Sequence, residues 1–229
     1  MKSQLNIILS KDLYIKDPTS SDLGRKILIE GLNLLFEIGL EGFTFKKLAT
    51  KIETTESTIY RYFDSKNQFL FYLFNYYWSW MEIQLQMSIA NIINPKVKLK
   101  NAIKLIAKTS KNDCSTPYID EGILQKVLMI ESSKIFLTKK VDEENNLGFF
   151  KHYKQFVQLI SEVVLEINPK FPYSHTLVST VIESLFHQRF FVQHLPSLSD
   201  NVANDVKLED FFYQMSIHTI LNYKKNGKI

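Results

Sequence analysis

From Asp22 onward the apolar residues of this chain recur with the period of an α-helix, and no proline interrupts them between Pro18 and Pro95. Leu23, Ile27, Leu28, Leu32, Leu35, Phe36 and Ile38 keep the spacing that lines one face of a helix, and Gly39 closes the run as a glycine past a last turn does. The remaining prolines, Pro117, Pro169, Pro172 and Pro196, mark helix starts or breaks, because a ring-locked φ and a missing N–H are tolerated only in a first turn. Seven glycines and six prolines in 229 residues are about half the usual share of roughly 12%. A chain so poor in turn formers is most easily built from helices. No stretch shows the alternation and β-branched richness of a sheet, so the expected fold class is all-α.

Short capped segments follow the first helix. Thr44 is an N-cap for a helix over residues 45–52, with Phe43 and Leu48 as a hydrophobic staple around it. The tetrad Glu53-Thr54-Thr55-Glu56 interrupts the pattern, and Thr55 caps a third helix running to Phe63, with Ile59 and Phe63 one turn apart on its buried side. Ser65 and Gln68 form a capping box that opens a longer helix through the aromatics Phe69 to Trp80, ending near Asn94-Pro95. Further helical patterns cover about 97–111, 118–133, 135–141, 147–167, 173–194 and 208–223. Residues 1–20 mix charges with Ser and Thr without a sustained period and read as a loosely ordered arm. The domain reading is an arm at 1–20, a helix-turn-helix domain at 21–66 and a larger helical domain at 67–229.

Charge by itself does not announce a nucleic-acid protein, for 28 basic and 24 acidic residues leave a net of only +4. Residues 1–75 hold 10 basic and 9 acidic side chains, so the N-terminal part is no more basic than the rest. Cys114 is the only cysteine, which excludes an intramolecular disulfide and a cysteine-cluster zinc site and fits an intracellular, cytoplasmic protein. The richest apolar run, Phe69 to Met81, is shorter than the roughly 20 residues of a membrane span, and no membrane association is expected. There is no phosphate-cradling glycine loop, nucleophile elbow or HExxH, so the chain is read as a non-enzyme without a cofactor. Glu183, His187 and His194 share a helix, but their spacing departs from that of a carboxylate-bundle metal site, and no metal is expected.

Two short helices joined by a tight turn, between a preceding and a following helix, form a helix-turn-helix unit. An α-helix reads a major groove when a partner helix lies across the backbone and holds it there. With Ile59 and Phe63 pointing inward, Ser57, Thr58, Tyr60, Arg61 and Tyr62 are expected outward or flanking. An arginine forks onto guanine, and hydroxyls suit base edges or phosphate oxygens. The first turns after Thr44 and after Ser65, with Lys46, Lys47 and Lys66 nearby, are candidate phosphate clamps.

The segment Ile27–Leu70 contains Gly39-Leu40-Glu41-Gly42-Phe43-Thr44, Leu48-Ala49, Thr55, Thr58-Ile59-Tyr60-Arg61-Tyr62-Phe63 and Ser65-Lys66 before Phe69-Leu70. In that ordered set it resembles the DNA-binding domain of TetR/AcrR-type transcriptional regulators. The resemblance covers about a fifth of the chain. It implies a homodimer whose third helices enter the major groove of a double-stranded DNA operator, and a C-terminal helical domain that binds a small molecule and dimerises through its last two long helices. It further implies phosphate contacts at Thr44, Tyr60, Tyr62 and Lys66 and a reading face of Ser57, Thr58 and Arg61; Lys46, Lys47 and Thr55, close to them in sequence, complete the candidate DNA-binding set. A repressor released by an inducer is the expected role. Two residues depart from the family pattern. Glu53 stands where glycine is usual, which disfavours a tight left-handed turn, and Glu56 would repel phosphate unless it accepts from cytosine N4.

Beyond the resemblance, Trp78, Met81, Tyr118, Phe150 and Tyr153 are candidates to line an apolar ligand pocket. Leu177, Val181, Leu185, Phe212 and Met215 on the last two long helices are candidates for a four-helix dimer interface. The rival reading, motivated by Glu53, Glu56 and the nearly neutral N-terminal part, is an all-α small-molecule- or partner-binding protein whose third helix reads no DNA.

Overall fold

The structure, a computed structural model, describes residues 7–110, 116–200 and 205–223; Cys114 and the expected helix end at Lys111 lie outside them. Among the described residues every regular element is helical, as the turn-poor sequence predicts. The chain divides into two compact units, Met1–Trp80 with Ser110–His152, and Met81–Thr109 with Tyr153–Ile229.

In the first unit two 3₁₀ turns, Lys11–Leu13 and Pro18–Ser20, precede α1 (Asp22–Gly42), α2 (Phe45–Lys51), α3 (Glu56–Ile59) and the start of α4 (Lys66–Ile89). After α5 (Pro95–Ala107), which belongs to the second unit, come α6 (Glu121–Glu131), α7 (Ser133–Phe136) and α8 (Val141–Asn146). Ile27, Leu28, Leu32 and Leu35 are buried on α1 as expected, whereas Phe36 and Ile38 are exposed, Phe36 offering its ring to Lys126. At Gly39 the helical path breaks, with φ +66° and ψ 169°, a conformation that glycine adopts without a Cβ penalty. The core beneath α1–α3 is aromatic. Phe43 stacks on Phe69 at 5.6 Å, and Phe63 meets Phe69 edge-on at 5.1 Å and Tyr72 at 5.5 Å. Contacts of this kind add about 0.5–1.5 kcal/mol each beyond the area they bury. They tie the ends of α1 and α3 to α4.

The N-terminal arm corrects the sequence reading. From Ile7 to Ser20 it is a packed strap, with Ile7, Leu9, Leu13 and Pro18 buried. Pro18 lies so close to α1 that a Cβ at Gly24 would sit 2.2 Å from its carbonyl oxygen, so glycine alone fits there. Sequence periodicity misses such a segment because its buried residues follow two 3₁₀ turns and fit neither a helical nor a strand period.

In the second unit the end of α4, α5, α9 (Lys151–Ile167), α10 (Ser174–His194) and α11 (Asp205–Asn222) pack together. α4 stops at Ile89, short of Asn94, where Asn91 turns left-handed at φ +60°. Leu99, Ile103 and Ile106 of α5, Ile160 and Val164 of α9, Leu177, Val178 and Val181 of α10 and Ser216 of α11 surround an apolar void of about 10 Å³. This corrects the interface set for Val181, Leu185 and Phe212, which are buried in the unit's own core, whereas Leu177, which lines the void, and Met215 are half-buried. The side chains turned to solvent instead include Thr176, Thr180, His187 and His194 on α10, and Val206, Asp210, Phe211, Gln214, His218 and Leu221 on α11. No helix among the described residues is long and apolar enough to cross a membrane.

Candidate nucleic-acid interface

Thr44 caps α2 as its sequence position predicts, its hydroxyl accepting from the Lys47 N–H at 3.2 Å. At the other end of α2 the Glu53 N–H donates to the Thr50 carbonyl and the Thr54 N–H to the Ala49 carbonyl, at 3.3 and 2.9 Å. This pair of bonds is a Schellman closure, which requires a left-handed residue after the cap. Glu53 takes that place at φ +59°. The tight turn therefore forms with glutamate where the sequence reading disfavoured it, and the chain bears the backbone strain.

The turn delivers the chain to α3, which is shorter than expected, ending at Ile59 with the residues to Tyr62 in turns. Thr55 does not cap α3 through its side chain. Its hydroxyl instead meets Ser57 Oγ at 2.9 Å and Thr58 Oγ1 at 2.8 Å, forming a row of three hydroxyls on the outer side. Ile59 is fully buried, which fixes the face that α3 turns outward. Tyr60 is half-exposed, its ring held edge-on to Phe45 at 5.1 Å, and Arg61 is exposed. Tyr62 is a correction. It is only 3% exposed, and its hydroxyl lies 2.8 Å from Ser21 Oγ, so it faces inward rather than outward.

The capping box at the start of α4 is present in a variant form. The Gln68 N–H donates to Ser65 Oγ at 3.1 Å, and Gln68 Oε1 accepts from the Asp64 N–H at 2.8 Å, one residue further out than the simple box. Lys66 folds back, its ammonium donating to the Leu40 carbonyl at 2.8 Å and the Phe43 carbonyl at 3.4 Å. Lys47 likewise donates to the Gly42 carbonyl at 2.8 Å. Lys26 reaches the Ile52 carbonyl, Lys51 pairs with Glu30 and Glu37, and Arg25 bonds Asp22 and the Thr19 carbonyl. Among the described residues up to Trp80, the cations left without a hydrogen bond or ion pair are Lys11, Lys16, Lys46 and Arg61. Arg61 is thus the one arginine of this region available for a bidentate contact, and it projects from a turn pinned by Ile59, Tyr60 and Tyr62.

The candidate ligand residues fall in both units. Trp78 and Phe150, buried in the first, share Phe74 as a ring neighbour at 6.1 Å each, while Tyr118 lies under the Arg25 guanidinium at 5.4 Å. Met81 is buried in the second unit, where the Tyr153 hydroxyl donates to Glu183 Oε1 at 3.1 Å. Burial holds the Glu183 carboxyl above its ordinary pKa and pushes the Tyr153 hydroxyl up as well. Sequence reasoning missed Glu121. It is fully buried in the first turn of α6, with Oε1 accepting from Thr116 Oγ1 at 2.5 Å and burial raising the neighbouring Tyr76 to about 12.

In class, then, this is an all-α helix-turn-helix protein. Residues 27–73 match the family model described as bacterial regulatory proteins, tetR family. No curated protein sequence matches the chain. Among solved structures it is similar to AibR in complex with isovaleryl coenzyme A and operator DNA, at 17% identity and a TM-score of 0.59, covering 83% of this chain and 97% of that one. It is similar to the fatty acid degradation regulator FadR from Bacillus halodurans, at 16% identity and a TM-score of 0.59, covering 87% and 98%. A third likeness is to the superantigen PfiT, at 16% identity and a TM-score of 0.56, covering 88% and 97%. At such identities the likeness is one of fold.

Proposed function

We propose that the protein is a homodimeric, sequence-specific DNA-binding transcriptional regulator, a repressor released from its operator by a small apolar molecule. The observation that carries this reading is Arg61. It stands exposed and unpaired beside the hydroxyl row of Thr55, Ser57 and Thr58, on a turn fixed by a fully buried Ile59. That is the arrangement by which a fork of donors is held toward a base edge while hydroxyls take phosphate. The presence of operator DNA and an acyl coenzyme A with AibR supports the same two-partner scheme for this chain. Release follows if the ligand favours a conformer whose two reading elements no longer match successive major grooves, about 34–36 Å apart.

Selection of genomic fragments by the purified chain, followed by titration of the recovered site against scrambled DNA, tests the proposal. Wild type is expected to prefer the recovered site, and Arg61→Ala to lose about 1–3 kcal/mol of that preference while keeping non-specific affinity. Recovery of no preferred sequence at low salt would reject a regulator. The rival reading, a small-molecule- or partner-binding protein that reads no DNA, rests on Glu56 at the start of α3 and on the likeness to PfiT. It predicts that outcome.

A further inference from the structure

The N-terminal strap is anchored beside the reading turn. The Ile15 N–H donates to the Tyr62 carbonyl at 2.8 Å, and Gln68 Nε2 at the start of α4 donates to the Asp12 carbonyl at 3.3 Å. Leu13 is buried between these anchors, and Tyr14 packs edge-on to Tyr72 at 6.2 Å. Lys16, the residue after the first anchor, carries its ammonium 5.2 Å from the centre of the Tyr62 ring, next in sequence to Arg61. Lys11 precedes the second anchor. Both lysines are exposed, and they are two of the four uncommitted cations of the region.

The strap also contains Asp12 and Asp17, which offset the two lysines in net charge but differ from them in how they are placed. They are engaged locally. Asp12 accepts from the Ser10 hydroxyl at 2.8 Å, and Asp17 accepts from the Thr19 N–H at 2.8 Å and the Thr19 hydroxyl at 2.7 Å, capping the second 3₁₀ turn. The strap's acids thus hold its shape while its two lysines are exposed, with Lys16 lying over the Tyr62 ring beside Arg61. By contrast Lys47 and Lys66, which the sequence pattern assigns to phosphate, are tied to main-chain carbonyls.

We propose that the strap is part of the nucleic-acid surface, with Lys16, and Lys11 beside it, contacting the phosphate backbone that flanks the site read by Arg61. This rests on the DNA-binding reading above; with two lysines and two aspartates the strap adds no net charge, and what it contributes is the placement of two exposed cations, one of them, Lys16, next to the turn that carries Arg61. Each phosphate neutralised releases counterions and adds about 0.9 to the slope of log affinity against log salt.

The experiment is a salt titration of full-length wild type, Lys16→Ala, Lys16→Arg and the pair Lys11→Ala with Lys16→Ala, on the selected site and on scrambled DNA. Lys16→Ala is expected to weaken both DNAs by the same several-fold factor and to flatten the slope by about one, the pair by about two, with Lys16→Arg restoring the wild-type slope. Thermal melts run in parallel separate a lost contact from lost packing on Tyr62. A lowered melting point with an unchanged slope assigns Lys16 a structural role only and overturns the proposal. If wild type binds neither DNA, the regulator reading falls and this inference with it; if wild type binds and all slopes coincide, this inference alone falls.

Discussion

Glu53 shows what a single residue costs at a helix end. Its left-handed φ of +59° closes α2 and launches α3, and an L-residue is strained in that region by roughly 1–2 kcal/mol. Glu53→Gly should therefore raise the urea midpoint by an amount worth up to about 1 kcal/mol, part of the relief being offset by the entropy of a glycine in the unfolded chain. Glu53→Ala, still carrying a Cβ, should leave the midpoint nearly unchanged, and equal gains from both would show that the turn is not strained. The sequence made the place legible but not the outcome. Local preference spoke against a left-handed glutamate, and the bonds from Glu53 and Thr54 back to Thr50 and Ala49 overrode it. Tyr62 is the converse case. Its position in the motif marked it for phosphate, whereas the partner that turns its hydroxyl inward, Ser21, lies 41 residues away and could not be read from local spacing.

Between elements, the junction of α6 with α1 is held by one buried carboxylate. Glu131, at 3% exposure, accepts from the Leu40 N–H at 3.1 Å just past the break at Gly39 and pairs with Lys134 at 2.9 Å. A Cβ on Gly39 would lie 3.1 Å from the same carboxylate oxygen. The carboxylate thus satisfies an amide that the broken helix would leave orphaned, and that pair holds Lys134 above the usual lysine pKa. Glu131→Ala should lower stability by about 1–3 kcal/mol in chemical denaturation, because it strands the Leu40 N–H. Glu131→Gln, which keeps an acceptor, should lose less. Equal losses would mean that the ion pair rather than the amide bond matters. Sequence periodicity located both helices and the glycine that closes the apolar run of the first, but one glutamate among several on an amphipathic helix carries no mark of what it caps.

For the whole molecule, the proposed dimer can be tested at the exposed apolar side chains of α11. Val206, Phe211 and Leu221 are 64%, 57% and 50% exposed on that helix, apolar side chains that a second copy of the chain would cover. If the proposed homodimer forms through this surface, Phe211→Glu is expected to shift it to a monomer in sedimentation and to weaken binding to a two-half-site operator by orders of magnitude through lost avidity. An unchanged dimer would place the contact elsewhere. The helical class was legible from few prolines and glycines, and the helix-turn-helix from its ordered motif. The choice of apolar residues facing the core of the second unit was not, since α10 and α11 are apolar on more than one side and only their packing against α5 and α9 decides which side is inner. A last consequence concerns how the molecule can be watched. The two tryptophans of the chain, Trp78 and Trp80, lie two residues apart on α4, both buried and both against Tyr77 at 5.1 and 5.9 Å. All indole fluorescence thus arises from a single helical turn on the helix that follows the helix-turn-helix, so the emission spectrum is a built-in optical gauge of that turn's surroundings.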